Sequence, residues 1–394
     1  MITIGFLLNF PLEYKGGVNY LKNLFFAIKA SEKDQVAIKL FVPTDLPETY
    51  WEAFEKYGEI IPTRTLKRGA IPWAISRVFE KKIHFDPLTA YMLRKHKVDI
   101  VSHSNYVYPF RQIKSINWIP DFQYLHYSNL WSRAQLAGTK KLNDYLVQKS
   151  NQLVLSSYDT FKDYKSAYPD YTDKVKVIHF VSQPHKELSK LDAGYSKSVA
   201  LKYLGEDVPF FYLPNQFWTH KNHITVFKAC RILAHKGLKF QLLTSGYMKD
   251  FRSSDNHMQG LFDYVSNNGL QDIIKFLGLI SYDDVFELIY SACALINPSY
   301  FEGWSSTVEE AKTMGTLTIL SDISIHREQN PLDALYFNPD SPEELAVLME
   351  DVLENKYNYQ RPALASLKSK LEQRTLDFGS SFAQLAKQAS FSTR

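Results

Sequence analysis

The sequence predicts an α/β protein built from two doubly wound halves. Three observations carry this reading. Short apolar runs alternate with amphipathic segments through the first 180 or so residues. A polar, Lys- and Ser-rich stretch, Val181–Asp207, then breaks the alternation. A second alternating series follows it. Strand–helix alternation of this kind predicts parallel sheets covered on both faces, and 394 residues suffice for two such domains, each with its own core.

In the first half, assigned to 1–185, the strands are Ile2–Asn9, Val36–Val42, Asp99–His103, Ile116–Ile119, Leu153–Ser156 and Val175–His179. Each is a short aliphatic run bounded by polar residues. Gly16-Gly17 opens a helix that continues to about Lys29, and Trp131–Lys149 and Tyr158–Tyr168 carry helical patterns. Residues 186–207 are expected to form a linker. The second half, 208–370, has strands at Phe210–Leu213, Phe240–Thr244, Ile274–Leu277, Ala294–Asn297, Leu317–Ser321 and Leu335–Phe337. Its helices are expected at Lys221–His235, Asp250–Asn268, Tyr282–Ala292, Thr307–Thr313 and Pro342–Glu354. A final helical run, Leu364–Ser390, closes the chain, and its last part, 371–394, can return to the N-terminal half. Two halves with a cleft between them is the natural architecture, with ligands at the carboxyl ends of the strands.

A net charge of +4 gives no sign of a concentrated basic face, so a nucleic-acid partner is not expected. Aromatic residues make up 14% of the chain, which implies large cores, with sugar-ring platforms as the sharper alternative. The two cysteines, Cys230 and Cys293, lie in apolar segments and read as thiols in a reducing compartment. The start M-I-T-I-G-F-L-L-N-F reads as a core strand rather than a signal peptide, and no window has the length of a membrane span. A cytoplasmic protein is expected. One segment stands apart: Arg64–Lys82 sets Arg64, Lys67, Arg68, Arg77, Lys81 and Lys82 among Ile71, Trp73, Ile75, Val78 and Phe79. It reads either as a solvated surface helix or as a peripheral contact with the inner face of a membrane.

The most informative stretch is Asn297–Gly315, N-P-S-Y-F-E-G-W-S-S-T-V-E-E-A-K-T-M-G. Glu302 and Glu310 stand with seven residues between them, the first in a loop after an apolar strand and the second on the following helix. Ser306 and Glu309 have capping-box spacing, which predicts a helix start near Thr307. A helix N-terminus offers amides and partial positive charge to phosphate. A carboxylate accepts hydrogen bonds from sugar hydroxyls. One loop can therefore hold a diphosphate with sugars on either side, the chemistry a nucleotide-sugar requires.

Through these residues the chain resembles the retaining glycosyltransferases of family 4, which have the GT-B fold of two Rossmann-like doubly wound domains facing a central cleft. Glu302 and Glu310, with Pro298-Ser299 before and Ala311 and Gly315 after, match the two-glutamate motif of that family. Gly16-Gly17 resembles its N-terminal glycine loop, and W-I-P-D-F-Q at Trp118–Gln123 an N-domain segment before the cleft. Leu213–Ala229 resembles its phosphate-binding basic segment, and F-L-G-L at Phe276–Leu279 its base-binding loop.

The resemblance implies roles. Lys221 meets the phosphates of the leaving nucleotide, Glu302 contacts the transferred sugar, and Glu310 accepts from the ribose. Gly303, Trp304, Ser305, Ser306 and Thr307 form the phosphate-binding turn. Gly16 and Gly17 approach the diphosphate. Asn215, Gln216, Thr244, Ser245, Gly246, Gly278, Leu279 and Ile280 line the nucleotide pocket. Gln216 stands where the family commonly has an arginine, and Pro120 where many members have a histidine before the aspartate, here Asp121. His126 and His103 are then the candidate substitutes.

The expected reaction is transfer of a hexose, with retention, from a nucleoside-diphosphate sugar to a glycan or lipid-linked hydroxyl in cell-surface polysaccharide synthesis. The donor can be GDP-mannose-like or a UDP-sugar. No cofactor is expected, and no Asp-x-Asp motif or metal-spaced cluster calls for a cation. Two other readings share the pattern: a sugar-nucleotide epimerase of the same fold, and a non-catalytic nucleotide-sugar or glycan binder. Oligomeric state is not legible.

Overall fold

The computed structural model of the chain describes every residue except 9–14, 48–51, 53, 84–85, 109–111, 185–187, 189–192, 249–255 and 392–394. It divides into two compact units. The first comprises Met1–Phe122, Ala134–Phe180 and Gln373–Arg394; the second comprises Gln123–Arg133 and Val181–Glu372.

The first unit holds a seven-stranded sheet in the order β3-β2-β1-β4-β5-β6-β7. Its strands are β1 (Ile2–Leu7), β2 (Val36–Pro43), β3 (Glu59–Thr63), β4 (Ile100–Ser102), β5 (Lys114–Ile119), β6 (Gln152–Leu155) and β7 (Val175–Val177). All pairings are parallel, as continuous apolar runs require. The expected first strand ends two residues early, at Leu7, and its Asn9 lies outside the described residues. β3 escaped the sequence reading because it is a short edge strand whose Glu59 and Pro62 are exposed. The helices are α1 (Lys15–Glu32), α2 (Ile71–Ile83), α3 (Pro87–Lys95), α5 (Arg133–Lys149) and α6 (Tyr158–Ala167), with α4 (Gln123–His126) belonging to the second unit. Phe6 and Phe25 meet edge to face at 4.7 Å between β1 and α1. Phe6, Phe25, Phe41, Phe54, Phe122 and Tyr164 are among the largest fully buried side chains, so much of the aromatic content is core.

The second unit holds a six-stranded parallel sheet in the order β10-β9-β8-β11-β12-β13. Its strands are β8 (Phe210–Leu213), β9 (Gln241–Thr244), β10 (Ile274–Phe276), β11 (Ala294–Asn297), β12 (Thr318–Ser321) and β13 (Leu335–Phe337). The helices are α7 (Ala193–Leu204), α8 (His223–His235), α9 (Asn256–Asn267), α10 (Tyr282–Ser291), α11 (Ser306–Met314), α12 (Ser324–Gln329) and α13 (Pro342–Leu353), followed by α14 (Leu364–Phe391). Phe211, Leu213, Leu242, Ile296 and Ile319 of the sheet pack with Val226, Phe227 and Leu233 of α8 and Leu345 and Met349 of α13 in one core.

The expected linker is largely helix. Its composition is polar, but Val199, Ala200 and Leu204 of α7 are buried, and α7 packs on α10. A single apolar stripe among lysines and serines was too sparse to register as a helical period. The expected start of α9 at Asp250 lies outside the described residues. α14 runs from the second unit into the first. In the first unit a Cβ at Gly379 would lie 2.1 Å from the Ala27 carbonyl oxygen, so glycine there lets α14 close on α1. Lys387 adds an ion pair to Glu32 at 2.9 Å.

Order in the second sheet positions the site. From β8 the chain steps outward through β9 and β10, then returns to β11 on the other side of β8 and steps outward through β12 and β13. β8 and β11 are therefore neighbours across a topological switch point, with Leu295 opposite Tyr212. Loops leaving adjacent strands here diverge, which is where open α/β sheets form ligand crevices.

Candidate active site

The loop after β8 carries Lys221 and the loop after β11 carries Glu302. Beyond Leu213 the chain turns through a 3-10 segment, Thr219–Lys221, and Asn222 takes a left-handed conformation with φ 53° before α8 begins at His223. Lys221 thus lies on a turn before the helix, whereas the sequence reading made it the first residue of the helix. Asn222 Nδ2 donates to the carbonyls of Pro298 at 3.1 Å and Pro339 at 2.9 Å, and the Tyr300 amide donates to the His220 carbonyl at 2.9 Å. These bonds stitch the two loops together. Between them Lys221 Nζ lies 2.7 Å from each Glu302 carboxylate oxygen.

Glu302 is buried and Lys221 largely so, with side chains 7% and 12% exposed. Ser299 Oγ stands 2.8 Å from Glu302 Oε1 and 2.7 Å from Asn297 Oδ1, one proton shared between two acceptors. Burial alone would raise the Glu302 carboxyl. The Lys221 ammonium, the nearby His326 and the hydrogen bonds from Lys221 and Ser299 outweigh it and hold the group below the usual carboxylate range. Asn297, fully buried at the end of β11, is the hub of the loop. Its amide nitrogen reaches Ser305 Oγ at 2.9 Å, Thr307 Oγ1 at 3.2 Å and Glu302 Oε1 at 3.4 Å, while its oxygen accepts from Asn215 Nδ2 at 3.0 Å.

The phosphate-binding turn differs in detail from the expectation. α11 starts at Ser306, with Ser305 in the N-cap position and making no side-chain capping bond, so the Ser306–Glu309 capping box does not form. Glu309 is instead drawn away by Lys312 Nζ at 3.0 Å and Gln329 Nε2 at 3.1 Å. Gln329 also clamps Ser305 from both sides, accepting from its amide at 3.1 Å and donating to its carbonyl at 2.9 Å. The Ser305 amide is therefore spent within the protein. Gly303, the half-open residue after Glu302, and the buried Trp304 complete the turn; the first-turn amides from Ser306 and Thr307 onward remain the anion-facing set that a helix start presents.

Glu310 sits one turn along α11, 5% exposed, and accepts from the Tyr282 hydroxyl at 2.8 Å. Burial pushes its carboxyl up to about 8, only partly countered by the Tyr282 hydrogen bond, so it is mostly protonated at neutral pH. The two glutamates of the motif are thus held in opposite states by their surroundings.

The other nucleotide-pocket candidates fall close by but with fewer free groups than the sequence suggested. Thr244 Oγ1 donates to the Lys275 carbonyl at 3.2 Å, and Ser245 Oγ pairs with the Tyr212 hydroxyl at 2.6 Å, so both hydroxyls serve the sheet. Gln216 accepts from the Tyr247 amide at 2.9 Å, tying the loop after β9 to the loop after β8. Gly246 has φ 152°, and a Cβ on it would lie 2.4 Å from the Asn215 carbonyl oxygen. Its amide donates to the Gly278 carbonyl at 2.9 Å, and Leu279 beside it is 57% exposed, followed by the half-buried Ile280.

In the first unit Gly16 and Gly17 occupy the first turn of α1 rather than a loop ahead of it. Asp121 is half-buried in that unit, whereas His126 belongs to the second. The His126 ring lies against Phe301, the neighbour of Glu302, tilted by 36° at 5.4 Å between centroids, and the Tyr127 hydroxyl donates to the Tyr300 carbonyl at 3.4 Å. His103 is placed otherwise than a catalytic substitute requires. Ser102 gives its proton to the Ile116 carbonyl, so it accepts from His103 Nδ1 at 2.8 Å, and Nε2 accepts from the Tyr20 hydroxyl at 2.8 Å. Both ring nitrogens are occupied, and burial lowers the imidazole to about 3.

Asn297 and Ser299 lie inside the motif run but were read only as its flank. Tyr282, His326 and Gln329 come from other elements and carry no spacing signal; only the fold brings them to the motif. Among the described residues no three His, Cys, Asp or Glu side chains are placed to hold a metal ion.

Comparison with known proteins places this geometry. Residues 202–368 match the family model described as glycosyl transferases group 1. The O-antigen chain mannosyltransferase RfbU of Salmonella typhimurium strain LT2 is 25% identical over 194 residues, which is 49% of this chain. The match spans about half of that relative's length, 48%. Among solved structures, a glycosyltransferase from Rickettsia africae ESF-5 has a TM-score of 0.68 at 17% identity, covering 100% of this chain and 99% of that one. Anabaena HepE in complex with UDP and glucose has a TM-score of 0.70 at 14% identity, covering 98% and 100%. The fold class is GT-B, two Rossmann-like parallel-sheet domains.

Proposed function

We propose that this chain is a glycosyltransferase that moves a hexose from a nucleoside-diphosphate sugar to a hydroxyl of a glycan or lipid-linked acceptor, with retention at the anomeric carbon. The observation that carries the reading is the meeting of Lys221 and Glu302 at the β8/β11 switch point, in the loop that leads into α11, which carries Glu310 one turn along. The group 1 family match over residues 202–368 covers this whole constellation.

In the proposed reaction, negative charge grows on the β-phosphate as the anomeric C–O bond breaks. Lys221 has three N–H bonds. Two reach the Glu302 oxygens, which leaves one for a phosphate oxygen on an ammonium already fixed in place. The amides of the first turn of α11 face the same charge. Fixed donors of this kind stabilise a transition state more than a ground state. Glu302 orients the transferred sugar, and the acceptor attacks from the face the phosphate leaves, handing its proton to that phosphate. No side-chain nucleophile and no metal ion is assigned a step. Glu310 receives the ribose hydroxyls. His126, beside Phe301, is assigned to the sugar end of the site.

For the donor, the mannosyltransferase relative supports mannose as the transferred sugar, for which we propose a GDP-mannose-like nucleotide, and the HepE complex with UDP and glucose supports a UDP-sugar. The process is assigned to cell-surface polysaccharide synthesis, carried out at the cytoplasmic side. Incubation with radiolabelled GDP-mannose and UDP-glucose, with and without a glycan acceptor, tests the reading. Label transfer that depends on acceptor supports it. Epimerised sugar and free nucleotide without acceptor would identify an epimerase, and binding with neither product a non-catalytic protein.

A further inference from the structure

Helix α2 turns a row of apolar side chains outward. On most surface helices the large apolar side chains face the core and the small polar ones face water. Here Ile71 is 77% exposed, Ile75 41%, Val78 51% and Phe79 40%, while the side chain at the middle of the helix that is fully buried is Ser76. The four apolar residues stand at spacings of four, seven and eight, which puts them on one face. The opposite face is locked down: Ser76 Oγ donates to Asp86 Oδ1 at 2.8 Å, and Asp86 also caps α3 through the amides of Leu88 and Thr89. The outward apolar stripe is therefore held in place by a buried polar anchor. Single exposed apolar residues are ordinary, but a contiguous row marks an interaction surface.

Among the described side chains of the helix and of the segment leading into it, the exposed charges are basic. Arg64 and Arg68, on the segment leading into α2, are exposed, and so is Arg77 on the helix. At 13 residues the helix is about 20 Å long, too short to cross a bilayer, and among the described residues no helix is long and apolar enough to do so. A short helix with an outward apolar face and basic neighbours fits the interface of an anionic bilayer, where apolar groups enter the acyl boundary and cations meet phosphates.

We propose that α2 docks the protein flat on an anionic lipid surface, with Ile71, Ile75, Val78 and Phe79 inserted and Arg64, Arg68 and Arg77 at the headgroups. This goes beyond the transfer reaction and does not depend on it. The test is flotation of the full chain with vesicles of phosphatidylcholine containing 30% phosphatidylglycerol, against vesicles of phosphatidylcholine alone. The expected result is retention on the anionic vesicles only. Ile75→Ser/Phe79→Ser should weaken it by about tenfold or more. Arg64→Ser/Arg68→Ser/Arg77→Ser should weaken it by roughly 100-fold. All five positions are exposed, so both variants should keep the wild-type melting temperature and nucleotide-sugar response, which separates failure here from failure of the donor site. No retention on either vesicle, or retention that Ile75→Ser/Phe79→Ser leaves unchanged, overturns the proposal. So does concentration-dependent self-association that the same variant abolishes in the absence of lipid binding. Equal retention on both compositions overturns its anionic component.

Discussion

Lys221 and Glu302, 81 positions apart in the chain, form a bidentate ion pair at 2.7 Å in the loops of two adjacent strands. Taking both charges from water costs energy that their attraction offsets only while the geometry holds. The pair is therefore less a source of stability than a way to fix a cation in one place. Removing one member alone leaves the other buried and unmatched. Lys221→Ala should destabilise the fold by about 3–5 kcal/mol, and Lys221→Ala/Glu302→Gln by clearly less. Urea denaturation of the two variants measures the difference; equal losses would mean that the charges do not couple.

The pair also sets an acid limit. Because the folded-state carboxyl of Glu302 is held below its usual range, its contribution to stability is present above the unfolded carboxyl pKa and is lost as pH falls through the depressed value. Melting temperature should drop below about pH 4.5 in the wild type, and less steeply in Lys221→Ala/Glu302→Gln.

Glu310 predicts the opposite sign. Its carboxyl is raised to about 8, so the folded state holds a proton the unfolded state releases near pH 4.5. The stability this contributes is present at low pH and is lost as pH rises toward 8. Ribose hydroxyls donate to the ionised form, so nucleotide-sugar affinity should strengthen with pH between 6 and 8, by up to about tenfold per unit. Glu310→Gln should flatten both profiles. Calorimetric titrations at several pH values check this, and a wild-type affinity independent of pH would contradict the ribose role.

From a buried position Gln329 holds Ser305 by two hydrogen bonds and the Glu309 carboxylate by a third. Gln329→Leu should cost about 1–3 kcal/mol by stranding the Ser305 amide, while the Ser305 carbonyl keeps its bond from the Glu309 amide. It should also raise the donor dissociation constant several-fold, because the first turn of α11 loses its brace. Unchanged donor affinity at wild-type stability would show that the turn needs no such clamp.

Gly246 lies where an L side chain is both strained and blocked. Gly246→Ala would push against the Asn215 backbone, and that strand end leads into the Lys221 turn. A conformational penalty of about 1–3 kcal/mol is expected before the clash is counted. Thermal melts with and without donor should show lower stability and a smaller donor-induced rise.

The strands of the second sheet were legible to within a residue because they read as short, mostly apolar runs, and the four central ones, β8, β9, β11 and β12, are fully buried. Phe210–Leu213, Ala294–Asn297 and Leu335–Phe337 coincide with the observed strands. The edge strand β3 and helix α7 were hidden because each buries only one sparse stripe. At the site, the two-glutamate run announced itself, but the partners that decide its chemistry did not. Lys221 was legible as a cation and not as the partner of Glu302. Tyr282 and Gln329 became visible only when the fold brought α10 and α12 against α11. His103 shows the converse: a histidine at a strand end looks catalytic until its neighbours claim both nitrogens.

The most direct test is calorimetric titration of wild type and Lys221→Met with GDP-mannose and UDP-glucose near pH 8. The account predicts that one of these donors binds the wild type, and that Lys221→Met, still folded by circular dichroism, binds it at least tenfold more weakly. Equal affinity in the two proteins would contradict the claim that this ammonium faces the diphosphate, and binding of neither donor would contradict the site itself.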